Sequence, residues 1–471
     1  PFIFLVLIFL TMIFKTVYVQ PSSYDILFME FQKTSRSLNL YVCLSLFFIF
    51  VSTVFIPLGQ EIGRLLKCSS PVIAYSINLI GSITGILTLA LLSFLEIPPF
   101  WAFAFGFLLI ILYLLKKMRP FFILQTISCL IILLVIGHAD KNSVWSTYHK
   151  ITITPLKYHR LKNIIWQKYL YSHEKNLIDL PNSVGINVSV NDDFLQMALN
   201  LSDKAVKTYP FLKVWRDNYD NPYKLIKPKN VLIVAGGTGN DAAAALRNKV
   251  LDIDVVDIDK QILQIGKKYH PENPYSNHNV NLFTDDARSF FKKTKKKYDL
   301  IIFSYLDSHR LFSQLSSIRL DSFLYTKESF EEAAGLLTEN GILYVHSAAS
   351  KSWVGPRLYK MLSSVFLKPP VILDSAIVPV LVTGKNLSKL DLSKVKQIKE
   401  AEVPFDTIEA TDNWPYIYLK NKAIPIEYSV VILILAIIIV LTSFKFNNNF
   451  KHFKFHFFFL GMAFFLFETK S

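Results

Sequence analysis

A glycine-rich run near the middle of the chain has the residue types and spacing of a nucleotide-binding turn. The apolar, β-branched stretch Val231–Val234 predicts a buried parallel strand, and Ala242–Leu246 has strong helix propensity. Between them stand Gly236, Gly237 and Gly239. Strand, glycine turn and helix in this order form the corner of a doubly wound α/β sheet, where free N–H groups face a ligand's polar groups. A tight glycine turn without a ligand is the alternative interpretation.

An acidic residue closes the next apolar run at the distance that nucleotide sites use. Gly237, Gly239 and Ala242 fit the G-x-G-x-x-G/A spacing, and Asp257 follows 18 residues after Gly239. A carboxylate at this place can accept hydrogen bonds from two ribose hydroxyls. The combination of strand, turn, helix and spaced acid therefore predicts a ribonucleotide-type ligand.

The elements around this turn alternate between short apolar runs and helical segments, which predicts a mainly parallel sheet. The helical segment Lys327–Leu337 is one example. Upstream, Trp145–Thr154 and Gly185–Asn191 alternate as β-strands do, and they predict a small β-rich subdomain that caps the site. The predicted strands after the turn are Val280–Phe283, Leu300–Phe303, Ile342–His346, Val371–Leu373 and Val378–Val382.

The two ends of the chain have the composition of membrane-spanning helices. Of 471 residues, 52% are hydrophobic and 39 are phenylalanine, more than an ordinary soluble protein carries. Seven apolar stretches are present, and most are long enough, or nearly so, to cross ~30 Å of hydrocarbon. For each stretch a buried helix of a soluble protein is the alternative. The stretches are Pro1–Phe14, Leu38–Leu58, Pro71–Leu95, Pro99–Leu115, Pro120–Gly137, Tyr428–Phe444 and Phe453–Phe467.

Four regions follow from these patterns. Residues 1–137 are predicted to hold about five transmembrane helices, the first truncated, and residues 138–190 the β-rich subdomain. Residues 191–425 are predicted to form a Rossmann-like domain, and residues 426–471 two further transmembrane helices, the last truncated. The chain starts at a proline and stops just after an apolar stretch, so both ends are expected to be cuts through a longer protein.

Charge and cysteine content exclude several classes of function. The net charge is +15, but no zinc-finger spacing and no basic helix interleaved with aromatic residues is present, so no nucleic acid is expected as a partner. The three cysteines, Cys43, Cys68 and Cys129, lie in or beside apolar stretches. The central polar region therefore has no disulfide framework, no cysteine-ligated metal and no catalytic cysteine, and no metal site is predicted.

The motifs also carry a family resemblance, which covers about residues 145–385. VLIVAGGTG resembles the first motif of class I S-adenosylmethionine-dependent enzymes, with Ala235 in place of its first glycine. The layout with flanking apolar stretches looks like bacterial multi-pass membrane proteins that carry a spermidine-synthase-like domain. The motifs that follow one another as in the spermidine synthase family are WSTYHKI, NDDFLQMAL with Gln196, VVDID, DDAR, YDLII, LYTKESF and LLTENGIL.

The resemblance implies an α/β Rossmann-like fold of the class I methyltransferase or spermidine synthase type, with a small N-terminal β subdomain and flanking transmembrane helices. It implies S-adenosylmethionine, or its decarboxylated form, as cofactor. Asp257 would bind the ribose hydroxyls, Ile258 would lie against the adenine, and Asp286 would accept from the adenine amino group. The full implied cofactor set is Gly236, Gly237, Thr238, Gly239, Asn240, Asp257, Ile258, Asp286 and Ala287.

Two positions depart from the spermidine synthase pattern. Thr238 stands where that family has the Asp that holds the aminopropyl amine, and Ser304 stands where it has the Asp directly after the fourth strand. The second acid of that run is kept as Asp307. Loss of two carboxylates weakens recognition of a cationic donor and acceptor and removes the expected base. Thr238 matches the GTG of ordinary methyltransferases, so the sequence favours methyl transfer from intact S-adenosylmethionine.

Candidates for the chemistry follow the predicted strands, where α/β sites form. Asp307, Ser304 and His309 are the predicted catalytic residues, because they can orient or deprotonate a nucleophile. Gln196, Tyr305 and Arg319 are the predicted substrate contacts. For each of them, a loop residue making local hydrogen bonds is the alternative.

Three functions remain open at this level, besides an NAD-dependent oxidoreductase, which is compatible with the glycine spacing alone but is disfavoured by the DDAR and LYTKESF motifs. The first is a membrane-integrated transferase that moves a methyl or other alkyl group to an unknown small-molecule or lipid-linked acceptor. The second is aminopropyl transfer in polyamine synthesis, and the third is a nucleoside-sensing domain of a transporter or membrane regulator. The expected location is the bacterial inner membrane, with the soluble domain in the cytoplasm because its cofactor is cytosolic. The expected partners are the lipid bilayer and, as an open possibility, further copies of the chain.

Overall fold

The computed structural model describes most of the central part of the chain. The described residues are 18–20, 37–68, 70–116, 122–141, 143–157, 183–191, 193–304, 322–346, 353–375, 379–398 and 407–423, with a few helical positions between 429 and 437.

The described residues form three sheets, two of them larger than the third, and a series of helices. A pair of short parallel strands, β1 (Tyr18–Gln20) and β2 (Ser37–Asn39), comes before the first long helix. The four strands of the first larger sheet are β3 (Ser143–Trp145), β4 (Lys150–Lys157), β5 (Ser183–Val190) and β6 (Asp193–Leu199). The strands of the second larger sheet are β7 (Asn230–Val234), β8 (Asp252–Asp257), β9 (Val280–Thr284), β10 (Tyr298–Phe303), β11 (Leu337–His346), β12 (Val371–Leu373), β13 (Val380–Gly384) and β14 (Gln397–Ile398).

The eight-stranded sheet is mainly parallel, as the sequence predicts. Its spatial order is β9-β8-β7-β10-β11-β13-β12-β14. The first five strands in this order pair in parallel, and β13 pairs antiparallel with both β11 and β12. The strand order reverses between the neighbouring strands β7 and β10, and ligands of open α/β sheets bind at such a switch point. The glycine turn follows β7 there.

Helices cover both faces of this sheet. Buried apolar side chains form a core on each face, and the central strands β7 and β10 are almost fully buried because they contribute to both. The helices in this part of the chain are α5 (Asp203–Thr208), α6 (Leu212–Leu225), α7 (Asn240–Arg247), α8 (Lys260–Tyr269), α9 (Ala287–Lys293), α10 (Lys327–Gly335) and α11 (Val354–Phe366). This is the predicted Rossmann-like α/β fold.

The four-stranded sheet is antiparallel in the order β3-β4-β5-β6. The sequence predicts one strand over Trp145–Thr154, but the structure has two strands and a turn there. The turn forms because the Ser146 hydroxyl accepts hydrogen bonds from the N–H groups of Tyr148 (3.2 Å) and His149 (3.0 Å). The fourth strand, β6, lies beyond the predicted boundary of this subdomain at residue 190.

Four apolar helices precede the two larger sheets: α1 (Leu40–Leu66), α2 (Pro71–Phe94), α3 (Pro99–Lys116) and α4 (Phe122–Asp140). Among the described residues, α2 and α4 are long and apolar enough to cross a membrane, and the apolar part of α3 is shorter. The described residues thus contain two candidate membrane spans, fewer than the seven that the sequence predicts. The predicted spans 1–14 and 453–467 lie outside the described residues, and only a few helical positions are described in 428–444.

A buried arginine holds the last described segment of the α/β domain. Arg357 on α11 is 1% exposed and donates to main-chain carbonyls of the segment 408–420. Its guanidinium also lies 5.1 Å from the ring centre of Trp414. Burial lowers the pKa of Arg357 to about 10, because it removes the water that would solvate the charge. The carbonyls belong to Ile408, Tyr416, Ile417, Leu419 and Lys420.

Candidate functional site

The glycine turn after β7 has three residues with positive φ. Gly237 has φ 55° and Gly239 has φ 111°, a region that favours glycine. A Cβ at Gly237 would stand 2.4 Å from the side-chain oxygen of Gln196, so a larger residue there would displace the Gln196 amide from the turn. Ala235 has φ 53°, which costs an L-residue about 1–2 kcal/mol. This backbone strain lies between β7 and the glycine turn, and strain of this kind is common at functional sites.

Asp257 faces the turn from the end of β8. Its Oδ2 accepts from the Gly237 N–H at 2.9 Å, and its Oδ1 accepts from the Asp259 N–H at 2.9 Å. The carboxyl is buried, and desolvation raises its pKa to about 6, although both N–H groups oppose that rise. Each oxygen keeps a further lone pair, so the predicted ribose-binding acid remains able to accept from hydroxyl groups.

Gln196 joins the four-stranded sheet to the turn. Its Oε1 accepts from the N–H of Thr238 at 3.2 Å and from the Thr238 hydroxyl at 3.3 Å. The N–H groups of Gly237 and Thr238 are both paired within the protein, and both residues precede the helix start at which free N–H groups are predicted. The physical reason is that Thr238 is fully buried, and a buried N–H group has to be paired. Gln196 nevertheless points into the predicted site.

Two residues that support the turn escaped the sequence analysis. The Tyr275 hydroxyl is buried and lies 2.9 Å from the carbonyl oxygens of both Gly236 and Gly237, to which it donates. Gly266 lets α8 approach, because a Cβ there would stand 2.5 Å from the Thr238 carbonyl oxygen. The available signal was a lone glycine inside a helical run, which usually has a packing reason.

Replacing Gly266 with Ala is expected to lower the free energy of unfolding by about 1–3 kcal/mol, because the added methyl group meets backbone that cannot move aside freely. Denaturant unfolding of the full chain measures this effect. Gly335→Ala at the end of α10 is the matched control, since a Cβ there meets nothing within 4 Å. Equal stability of the two variants would show that α8 does not press on the turn.

Asn240, a predicted cofactor contact, has its side chain fully engaged within the protein. Its Oδ1 accepts from the Leu199 N–H and from Nε2 of His270, both at 3.1 Å. Its Nδ2 donates to the Met197 carbonyl at 2.6 Å and to the Tyr219 hydroxyl at 3.1 Å. Burial lowers the pKa of His270 to about 3, so that ring is neutral. The amide therefore fixes the start of α7 against β6 and α6.

The remaining predicted cofactor residues lie at the same edge of the sheet. Asp286 caps α9, with its Oδ1 accepting from the Ser289 N–H at 2.9 Å. Ala287 is buried and Ile258 is half-buried. The Asp285 N–H donates to the Asp257 carbonyl at 3.2 Å, which ties the end of β9 to the end of β8.

A buried carboxylate meets Ser304 at the end of β10. The Ser304 hydroxyl donates to Oδ2 of Asp241, 2.6 Å away, across the switch point of the sheet. Asp241 lies in the first turn of α7 and is 3% exposed, and its Oδ1 has no hydrogen-bond partner among the described residues. Burial raises the pKa of Asp241 to about 6. An acid therefore does stand at the end of β10, supplied by α7 rather than by position 304.

Aromatic side chains surround this carboxylate. Tyr219 and Tyr223 on α6 and Tyr344 on β11 are buried, and the negative charge of Asp241 adds to the burial that raises each of their pKa values. The hydroxyls of Tyr223 and Tyr344 have no partner among the described residues. The His346 ring centre lies 5.1 Å from that of Tyr344. A carboxylate beside aromatic faces is suited to a cationic nitrogen.

Four predicted residues lie outside the described part of the chain. They are Tyr305, Asp307, His309 and Arg319. Their predicted roles as catalytic and substrate-contacting residues stay predictions.

The central part of the chain is similar to known proteins. Residues 220–364 match the model of the spermine/spermidine synthase domain. The polyamine aminopropyltransferase of Buchnera aphidicola is 33% identical over 121 residues, which are 25% of this chain and 42% of that protein. The polyamine aminopropyltransferase of Saccharolobus solfataricus is 34% identical over 146 residues, which are 30% of this chain and 46% of that protein.

Among solved structures, the spermidine synthase of Thermotoga maritima is 16% identical, with a TM-score of 0.35 over 49% of this chain and 76% of that one. The chain spans less than half the length of the curated relatives that it matches. It contains a spermidine-synthase-like domain, as the sequence motifs imply.

Proposed function

We propose that the spermidine-synthase-like domain transfers an aminopropyl group from an adenosyl sulfonium cofactor to an amine. The matched relatives are named polyamine aminopropyltransferases. The observation that carries the proposal is the Asp241 carboxylate, 2.6 Å from the Ser304 hydroxyl. It supplies an acid at the end of β10, where Ser304 stands in place of the Asp of spermidine synthases. That replacement was one of two arguments for methyl transfer.

The described residues fit the nucleoside part of such a cofactor. Asp257 lies on the glycine turn with lone pairs available for ribose hydroxyls, and Asp286 lies at the end of the neighbouring strand. Both acids and the turn belong to the carboxyl edge of the parallel strands, where ligands of this fold bind. Decarboxylated S-adenosylmethionine is the cofactor that the proposal requires.

The chemistry requires little from the protein beyond orientation and a base. The bound sulfonium supplies a carbon whose bond to sulfur breaks, with the electron pair leaving on a neutral thioether, as the acceptor nitrogen forms its new bond to that carbon. The Ser304 hydroxyl donates a hydrogen bond to Asp241. Its lone pairs can therefore accept a hydrogen bond from an N–H of the acceptor and orient the nitrogen. Asp241 takes the proton that the nitrogen loses, and a pKa of about 6 suits that role near neutral pH.

The nucleoside product tests the proposal. The purified chain is incubated with decarboxylated S-adenosylmethionine and putrescine, and in parallel with S-adenosylmethionine, and the products are separated by mass spectrometry. We expect methylthioadenosine and an aminopropylated amine from the first mixture. Release of S-adenosylhomocysteine from the second mixture alone would contradict aminopropyl transfer.

Methyl transfer is the second candidate, and one observation favours it. Thr238, which stands where spermidine synthases hold the aminopropyl amine, is fully buried and bonded to Gln196. Among the described residues, Thr238 is therefore paired with an amide, whereas Ser304 is paired with a carboxylate. The same product assay decides between the two reactions.

Affinity for the nucleoside is expected to fall in acid, because protonation of Asp257 removes an acceptor for the ribose hydroxyls. Its pKa is raised to about 6, so the carboxylate form is mostly present at pH 7 and mostly lost at pH 5. Binding of methylthioadenosine should weaken by about tenfold over that range, as the ionised fraction falls. Calorimetry at several pH values measures it. Asp257→Asn should bind weakly at every pH, and an unchanged profile in this variant would contradict the role of Asp257.

We also propose that the chain is anchored in a lipid bilayer through α2 and α4, with the domain acting on a small-molecule or lipid-linked amine. The support is the length and composition of these helices and the exposure of apolar side chains along α2. The bacterial inner membrane with a cytoplasmic domain remains the proposed location. Retention in membranes washed with alkaline carbonate tests the anchoring.

A further inference from the structure

Helix α2 ends at an acidic residue in a position that usually holds glycine. The Glu96 N–H donates to the Ser93 carbonyl at 3.0 Å, and the Ile97 N–H donates to the Leu92 carbonyl at 2.9 Å. This pair of bonds ends many helices, and it requires one residue with left-handed backbone, most often glycine. Here that residue is Glu96, with φ 58°. A side chain strains such backbone, and strain of this kind is common where the side chain has a function.

The Glu96 side chain joins the end of α2 to the α/β domain. Its Oε2 accepts from Nε2 of Gln261 at 2.5 Å, across 165 positions of sequence. Gln261 lies in the first turn of α8, the helix that follows Asp257. Beside this contact, the Ser93 hydroxyl donates to the Thr147 carbonyl at 3.0 Å. The end of α2 therefore contacts both α8 and the turn between β3 and β4.

These contacts lead to the predicted ribose-binding acid through Asp259. The Asp259 carboxylate is 3% exposed, and it accepts from the Gln261 N–H at 2.9 Å and from the Ser146 hydroxyl at 2.6 Å. The Asp259 N–H in turn donates to Oδ1 of Asp257 at 2.9 Å. Since the other oxygen of Asp257 accepts from the Gly237 N–H, Asp259 is one of two groups that fix the orientation of this carboxylate.

We propose that Glu96 is a positioning residue of the nucleoside site, which holds Gln261 at the start of α8 and so keeps Asp257 oriented towards the ribose hydroxyls through Asp259. The inference rests on the proposed function, because it takes Asp257 as the acid that binds the ribose. It makes the end of α2 a part of the cofactor site in addition to a membrane anchor.

Three variants separate this role from a merely structural one. Glu96→Gly removes the carboxylate and also relieves the backbone strain, so the chain should be no less stable than the wild type. Glu96→Gln keeps a side-chain oxygen that can accept from Gln261. Leu367→Gly is the matched control, because Leu367 ends α11 with φ 53° and is 87% exposed. It relieves the same kind of strain without a contact to Gln261.

Calorimetry with methylthioadenosine and the full chain in detergent measures the effect. We expect Glu96→Gly to bind about three- to tenfold more weakly than the wild type, the usual range for loss of one coupled contact. Glu96→Gln and Leu367→Gly should bind as the wild type does. Denaturant unfolding should show no loss of stability in Glu96→Gly, whereas a merely structural role of Glu96 would lower it.

The partner of Glu96 gives a second comparison. Gln261→Ala should weaken binding as much as Glu96→Gly does, and the double variant should bind no more weakly than either single variant, because all three lack the same contact. Losses that multiply in the double variant would show that the two residues act separately and would overturn the inference.

Hydrogen exchange follows the contacts without any ligand. The Asp259 amide should exchange faster in Glu96→Gly than in the wild type, because its bond to Asp257 is held less firmly, while amides of β10 should exchange at the wild-type rate. Unchanged exchange at Asp259, or wild-type affinity of Glu96→Gly, would overturn the inference and leave the proposed function intact. Failure of the wild type itself to bind methylthioadenosine would overturn both.

Discussion

Replacing Asp241 with Asn is expected to lower kcat by about 10²–10⁴-fold, the usual contribution of a general base. Asn keeps the shape of the side chain and can still accept from Ser304, but it cannot take the proton of the acceptor amine. KM for the amine should change less than kcat, because Ser304 still contacts the nitrogen. Steady-state kinetics with decarboxylated S-adenosylmethionine and putrescine measure both constants.

The variant is expected to remain folded, which keeps the result interpretable. Burial raises the pKa of Asp241 to about 6, above its unfolded value near 3.8, so the folded state favours the protonated form. The stability that this group contributes is present below about pH 4 and is lost as pH rises through 6. At pH 7 the buried charged carboxylate therefore lowers the free energy of unfolding. Asn is neutral and has no buried charge, so unfolding experiments should show no loss of stability at pH 7.

The pH profile separates a base from a structural residue. For the wild type, kcat should rise as pH increases through about 6 and then level off. The remaining activity of Asp241→Asn should lack this rise. Asp203→Asn is the control, because Asp203 also lies in a first helical turn but is exposed and paired with Arg216. Full activity of Asp241→Asn would remove Asp241 from the chemistry.

Replacing Arg357 with Met is expected to give the largest loss of stability, on the order of 3–5 kcal/mol. The change leaves several carbonyls of the segment 408–420 buried without their donor, and each unpaired group is costly. The segment should separate from α11 before the rest of the domain unfolds. Urea unfolding, with protease cleavage between residues 407 and 423 as a second signal, measures both effects.

Arg64→Met is the matched control, because the Arg64 side chain is 69% exposed and forms an ion pair with Glu61 within one helix. Surface pairs of this kind contribute about 0–1 kcal/mol. Similar stability of the two variants would mean that Arg357 does not hold the segment.

The sequence predicted those parts of the fold that local patterns decide. The run Val231–Val234 corresponds to a fully buried strand, and Asp257 ends the next strand beside the glycine turn, because both follow from short-range hydrophobicity and spacing. The β3–β4 hairpin was missed, since a single serine hydroxyl that caps two N–H groups interrupts an otherwise regular alternation at Ser146. Such a bond involves one side chain and leaves little trace in the pattern.

The site was harder to predict because its decisive contacts join distant parts of the chain. Motif comparison judged positions 238 and 304 one at a time and counted an acid lost at each. Asp241 compensates at Ser304 only because α7 and the end of β10 meet in space, 63 residues apart in sequence. Gly266 and Tyr275 likewise reach the turn only in the folded structure, from positions later in the chain. The spacing of residues in the sequence does not predict these contacts.

The most direct test of the account is an experimental structure of the chain with methylthioadenosine bound. We expect the nucleoside at the carboxyl ends of β7 and β8, with both ribose hydroxyls within hydrogen-bond distance of Asp257 and the adenine beside Asp286. The sulfur should point towards the end of β10 and the pair formed by Ser304 and Asp241. A nucleoside bound elsewhere, or a glycine turn that remains closed by Gln196 with no nucleoside on it, would contradict the account.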